Sequence, residues 1–250
     1  MLPKLDGLSV CRRIRAALPD TKLLVLRPLL ADADPRIRAT AAVALATSER
    51  PDDVDAAETP LADIVGSNTE NIRGARRDVA AALGHAQSQR FQRLLIPLLY
   101  DPAVEVADRA MESVRRAGRA DFIFVPTLVS LLRNRHLKGR ARQVLVSYGE
   151  SVIDALAFFM ADPHEDEWFR RHIPSTLAMI PSQKPVDALV AQINEPDGFL
   201  RYKVMSALMR LRRANRDLKV PADIVETVVT REARQFFRYL SLHENLKSAG

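Results

Sequence analysis

The feature that most constrains this chain is a turn motif that returns at almost constant spacing. Asp32-Ala-Asp-Pro-Arg-Ile-Arg38, Asp101-Pro-Ala-Val-Glu-Val-Ala107 and Glu195-Pro-Asp-Gly-Phe-Leu-Arg201 each run from an acid through a short turn to an apolar residue, and two of the three then carry a base. Ser67-Asn-Thr-Glu-Asn-Ile-Arg73 keeps the frame with Ser in place of the acid. Leu132-Arg-Asn-Arg-His-Leu-Lys138 keeps only its end, and Asp162-Pro-His-Glu-Asp-Glu-Trp-Phe-Arg170 lengthens the gap by two residues. The aligned apolar positions Ile37, Ile72, Val106, Leu137, Phe169 and Leu200 lie 35, 34, 31, 32 and 31 residues apart. A fixed period in this range is the signature of a repeat architecture.

Each repeat has the same internal grammar. A short apolar stretch precedes the turn, at 23–30, 61–65, 91–99, 124–132, 152–160 and 186–193. After the turn, apolar residues fall three or four apart, as in Ile37, Ala41, Ala44 and Leu45, or Leu200, Val204, Ala207, Leu208 and Leu211. That is helical period, not strand alternation. Asp, Ser and Asn at the turns suit helix N-caps, and Pro35, Pro102, Pro163 and Pro196 enforce the break between paired helices. Pro126 suits a helix start, whereas Pro28 and Pro97 sit where they would kink theirs.

The expectation is all-α: a right-handed α-solenoid superhelix of about six helix pairs, near residues 23–48, 59–86, 90–118, 122–148, 151–181 and 184–214. A C-terminal helix at 221–246 completes a single repeat domain over 1–250. The segment 49–58, with five acids and a proline, reads as a solvated loop or an acidic docking strip.

The turn acid, the apolar residue five later and the Arg or Lys after it resemble HEAT repeats, of the short bilin-lyase-type variety, over about residues 23–213. The resemblance implies stacked helix pairs and is nearly silent on function. Pro126-Thr-Leu-Val-Ser-Leu-Leu-Arg, Lys138-Gly-Arg-Ala-Arg, Arg170-Arg-His-Ile-Pro174, Gly198-Phe-Leu-Arg-Tyr-Lys203 and Arg238-Tyr-Leu-Ser-Leu-His243 are similar to the HEAT segment of bacterial fusion proteins. In those, the segment follows a membrane domain like the ADP/ATP carriers or the major facilitator transporters. That likeness implies a cytoplasmic regulatory module of a longer chain, with a flanking domain of the same polypeptide or another protein as partner.

Composition narrows the classes. One cysteine, Cys11, excludes a disulfide framework and a multi-cysteine zinc site, which makes a reducing, cytoplasmic setting the expectation. With 6% aromatic residues and 9 glycines, a barrel or sandwich of short strands is disfavoured. No stretch nears the ~18 consecutive apolar residues of a membrane span, so no membrane insertion of this segment is expected.

Charge is uneven: 18 bases meet 17 acids over residues 1–125, but 19 meet 14 over 126–250. Two runs concentrate the excess. Arg133, Arg135, Lys138, Arg140 and Arg142 have no acid among them, and Arg210, Arg212, Arg213, Arg216 and Lys219 are diluted only by Asp217. They are the candidate binding surface, for phosphates, acidic lipid headgroups, an acidic protein or nucleic acid. Nucleic-acid binding lacks aromatics interleaved within the runs. The structural alternative is a solvated helix surface, together with a ladder between successive turns made by Asp32, Arg38, Arg73, Asp101, Asp162, Arg170, Glu195 and Arg201. Trp168 is expected to pack between repeats.

Catalysis finds little support. His164-Glu165 and His243-Glu244 are the only His-Glu pairs, about 80 residues apart, and make a poor metal shell. No nucleophile elbow, phosphate-cradling glycine loop or zincin sequence is present, so no cofactor is expected. The expected function is a non-catalytic protein-interaction scaffold. A phosphate-backbone or nucleic-acid binder is the alternative, and a metal-dependent enzyme the remote one.

Overall fold

The computed structural model describes residues 26–86, 88–117 and 122–248. Cys11, residues 23–25 of the first apolar stretch and Gly118 at the end of the third expected repeat lie outside them. Among the described residues every regular element is a helix, and the helix starts follow from local chemistry. Asp34 accepts the Arg36 amide at 2.8 Å and Pro35 opens the helix Pro35–Ala46 (α1). Asp166 and Asp197 cap Glu167–Arg170 and Gly198–Ala214 in the same way, through the amides of Trp168 and Phe199. Each of these caps satisfies a helix-end amide that has no partner within its helix.

Prolines set the breaks. Pro97 places its ring against the carbonyl four residues back, and the expected stretch 91–99 divides into Gln89–Gln92 and Leu95–Leu99 on either side of Arg93 and Leu94. Pro174 does the same between Glu167–Arg170 and Ile173–Leu177. Pro28 departs from expectation. It begins a 3-10 turn, Pro28–Ala31, rather than kinking a helix, because at the first position its missing amide costs nothing.

The acidic segment 49–58 is not a loop. It forms the opening turns of a 16-residue helix, Pro51–Gly66 (α2). Pro51 sits at the helix start and Asp52 and Asp53 occupy the first turn, where carboxylates favour the positive end of the helix dipole. Asp53 is buried and pairs with Arg27 at 2.7 Å, while Asp55 and Glu58 both hold Arg90. The acids have partners inside the protein, which the local charge density concealed.

The chain divides into two compact units, Met1–Ser147 and Tyr148–Gly250. In the first, α1 packs on α2 and on Arg73–Leu83 (α3). Helix α3 packs on Val104–Ala117 (α4), and α4 on Leu95–Leu99 and Lys138–Ser147 (α5). Small residues permit close approach: Ala39, Ala41, Ala42, Ala75, Ala80, Ala107, Ala110 and Ala141 are all buried, with Leu45, Leu83 and Met111 filling the spaces between them. In the second unit, Ile153–Ala161 packs on Ile173–Leu177 and Gln183–Ala191, and both of these meet Gly198–Ala214 (α6). Leu156, Ile173, Leu177, Leu189, Val204 and Leu208 form its core. Burying each such side chain contributes about 1.5–3 kcal/mol.

The last helix, Ala222–Ser248 (α7), is 27 residues long, and Val228 is its one buried residue among those described. Glu232 on Arg201 at 2.9 Å and Arg231 on Asn194 at 3.2 Å anchor its N-terminal part. Among the described residues no single helix is long and apolar enough to cross a membrane.

Candidate functional site

The turn bases serve the fold, in a pattern that differs from the expected one. Arg38 donates from Nη1 to the carbonyls of Asp32 and Ala33, and Arg201 donates to those of Glu195 and Pro196, so each closes its own turn. Arg170 is buried; it donates to the Met160 carbonyl at 2.9 Å and meets Glu195 of the next turn at 3.0 Å. Asp101 also receives a base across turns, but from Arg76 at 2.6 Å and not from Arg73. Arg76 Nη1 also donates to the carbonyls of Ser67 and Thr69. Arg73 lies at the surface between Glu70 and Glu105.

One rule joins these cases. Arg38, Arg76, Arg170 and Arg201 are each the fourth residue of their helix. After the Ser67 turn a 3-10 turn, Glu70–Ile72, delays the helix to Arg73, so the turn-facing position falls at Arg76. Counting from the turn acid missed it. The side chains of Asp32 and Asp162 accept amides within their own turns, from Asp34 and His164.

The first basic run belongs to the unit ending at Ser147. Arg140 bonds Asp108 of α4 at 2.8 Å and Arg135 donates to His136 Nε2 at 2.9 Å. Arg133 and Arg142 are engaged as well, and Lys138 is half-buried at the start of α5. The run has no acid in sequence, yet the fold supplies one. The second run belongs to the other unit and divides. Arg212 turns back to the Leu218 carbonyl, and the Lys219 backbone exchanges two hydrogen bonds with the Gln183 side chain. Arg210, Arg213 and Arg216 stay exposed.

Aromatic rings meet this second run on one helix face. Along α6, Leu200, Val204, Ala207, Leu208 and Leu211 point into the core. Phe199, Tyr202, Ser206, Met209, Arg210 and Arg213 follow at helical spacing on the opposite side. The Phe199 and Tyr202 rings lie 6.2 Å apart and are 51% and 61% exposed. Lys203 Nζ stands 5.1 Å from one ring centroid and 5.8 Å from the other. The Arg171 guanidinium lies 5.3 Å from Phe199, held there by Asp197 and Glu167, both at 2.7 Å. Hydrogen bonding from Arg171, aided by the backbone amides of α6, holds the Asp197 carboxyl below the usual carboxylate range. Trp168 is 65% exposed beside His172, not packed between repeats as expected, since its short capped helix turns it outward. Searching for aromatics only within the basic runs missed this arrangement. The helical spacing from Phe199 to Arg213 would have revealed it.

A second exposed surface is the far part of α7, where Phe236, Phe237, Tyr239, Leu240 and Leu242 are 42–66% exposed. Along α7, Val225 is half-buried, whereas Val229, Ala233, Phe236 and Leu240 are exposed. Among the described residues no group of three or more His, Cys, Asp or Glu side chains is arranged to hold a metal ion.

No family model matches the chain, and no curated protein matches it. Two solved structures of engineered proteins from the Northeast Structural Genomics Consortium are similar at 17% identity. One has a TM-score of 0.41 and covers 77% of this chain and 97% of its own. The other has a TM-score of 0.44 and covers 90% and 66%.

Proposed function

We propose that this chain is a non-catalytic protein-interaction scaffold, built as an α-solenoid of HEAT-like helix pairs. Hydrogen bonds that join residues about one repeat apart support the architectural part of this reading. Arg90 meets Glu58, Arg140 meets Asp108 and Ser113 meets the Ala80 carbonyl in the first unit, at separations of 32, 32 and 33 residues. Lys184 with Asp154 and Arg201 with Glu232 span 30 and 31 in the second. Successive repeats of such an array share one core and offer an extended surface to partners.

The observation that carries the binding part is the exposed apolar side of α7. Five large, exposed side chains within seven residues form the kind of apolar helix surface that lies against another protein or domain. Through the likeness to transporter-fused HEAT segments, that partner is a flanking domain of the same polypeptide and the scaffold is its cytoplasmic regulatory module.

The test compares the wild-type endogenous polypeptide with a Phe236→Ala/Phe237→Ala variant, by native mass and by membrane fractionation. A membrane-bound chain much heavier than 27.9 kDa supports the module reading. A soluble stoichiometric complex lost in the variant, with unchanged thermal unfolding, supports the scaffold without the membrane domain. Two chains that both migrate alone at 27.9 kDa overturn the proposal.

A further inference from the structure

We infer that the outer face of α6 is a binding strip for single-stranded nucleic acid. The inference is independent of the scaffold reading, which rests on α7. From Gly198 to Arg216 the chain carries six bases and no acid. Arg201 and Arg212 spend their donors on carbonyls of the fold, leaving Lys203, Arg210, Arg213 and Arg216 for a ligand. Phe199, Tyr202 and Lys203 stand at one end of the outer stripe, and Arg210 and Arg213 two to three turns further on, so the strip runs ~21 Å along the helix.

The chemistry matches an unpaired strand better than other polyanions. Phosphates need spaced cations, which any acidic partner would also satisfy. The rings add half-exposed aromatic side chains on which an unpaired base can stack. Lys203 lies near both ring centroids and Arg171 near that of Phe199, so cation and ring are placed together before a ligand arrives. Asp197 and Glu167, the acids beside Phe199's partner Arg171, are already bonded to it and repel phosphate less than free carboxylates would. A duplex hides its base faces, and a headgroup layer or an acidic peptide has none to offer.

The experiment is fluorescence anisotropy of the full chain with a labelled oligothymidylate of about a dozen nucleotides. The expected result is binding that weakens linearly in log salt, with a slope of about 0.7 for each phosphate contacted. Tyr202→Ala should weaken binding about tenfold or more at every salt concentration while leaving the slope unchanged. Arg210→Gln with Arg213→Gln should flatten the slope by about 0.7 per cation removed. Phe199→Ala also disturbs Arg171, so Tyr202→Ala and the arginine pair carry the test.

Four outcomes overturn the inference. One is an absence of salt-dependent binding. A second is equal affinity for the Tyr202→Ala variant. A third is equal affinity for a duplex of the same length. The last is binding to phosphatidylserine vesicles or polyglutamate in place of the oligonucleotide.

Discussion

Arg76 and Asp101 meet at 2.6 Å with both side chains only 2% exposed, joining the start of α3 to the turn before α4. Asp101 also accepts the Ala103 amide, and Arg76 completes its donors on two carbonyls. Removing one partner of such a pair strands the other charge in the interior. Arg76→Met should lower the unfolding free energy by about 3–5 kcal/mol. Arg76→Met with Asp101→Asn should cost less than Arg76→Met alone, because no buried charge is left unpaired. Urea denaturation of these two variants and of Asp101→Asn alone decides it; a double variant as unstable as the sum of the singles denies the coupling.

The fourth-residue rule separates bases that look alike in sequence. Arg170→Lys keeps the charge but cannot serve the Met160 carbonyl and Glu195 together, and should cost about 1–3 kcal/mol. Arg73→Ala removes two surface ion pairs, and its effect should stay within about 0.5–1 kcal/mol. Equal losses at the two positions in chemical denaturation would show that the rule has no energetic content.

These two arginines mark what could be read from the sequence. Helical character, the breaks at Pro35, Pro102, Pro163 and Pro196 and the core stripe of α6 were legible, because each depends on residues within a few positions of one another. Arg73 was mistaken for Arg76 because the helix start, not the turn acid, sets which residue faces inward. The 49–58 helix was mistaken for a loop because Arg27 and Arg90, the partners of its acids, lie outside that segment. The strip on α6 was overlooked for a related reason. Phe199 and Tyr202 lie about three and two turns before Arg210, outside the basic run, and only helical spacing puts them on the same side.

Gly84, just past the end of α3, faces Ser113 of α4. A Cβ built there would stand 2.8 Å from Ser113 Cα and Cβ as well as Oγ, and Ser113 Oγ is itself bonded to the Ala80 carbonyl at 2.6 Å. The obstruction includes backbone, so trimming Ser113 cannot relieve it. Gly84→Ala should therefore destabilise by about 1–3 kcal/mol through overpacking. Gly139, whose added Cβ meets nothing within 4 Å, is the control. There the alanine variant should be neutral or slightly stabilising in thermal melts.

Asp197 gives stability a dependence on acid. Its folded pKa lies below the unfolded value of about 3.9, chiefly through the hydrogen bond from Arg171. Its contribution is therefore fully present above that value and is lost as pH falls through the folded one. Asp197→Asn retains a good N-cap but removes the charge, and should cost about 1–2 kcal/mol at pH 7. The gap between wild type and variant should close as denaturation is repeated toward pH 2. A gap that stays constant across that range would mean the Arg171 contact is energetically silent.

Leu208 and Leu240 test where the folded core ends. Leu208, 3% exposed on the inner side of α6, loses both burial and packing when truncated. Leu208→Ala should cost about 2–5 kcal/mol, since the neighbouring helices can only partly close the cavity. Leu240, 42% exposed on α7, has little burial to lose within this chain, and Leu240→Ala should stay within about 0.5 kcal/mol. The contrast matters because propensity alone does not hold α7 in place: beyond the Arg201–Glu232 bond, its apolar side chains contribute stability only if something covers them. If Leu240→Ala instead destabilises the isolated chain as much as Leu208→Ala, the far part of α7 is packed in solution. Its exposed side would then no longer be available as the scaffold's contact surface.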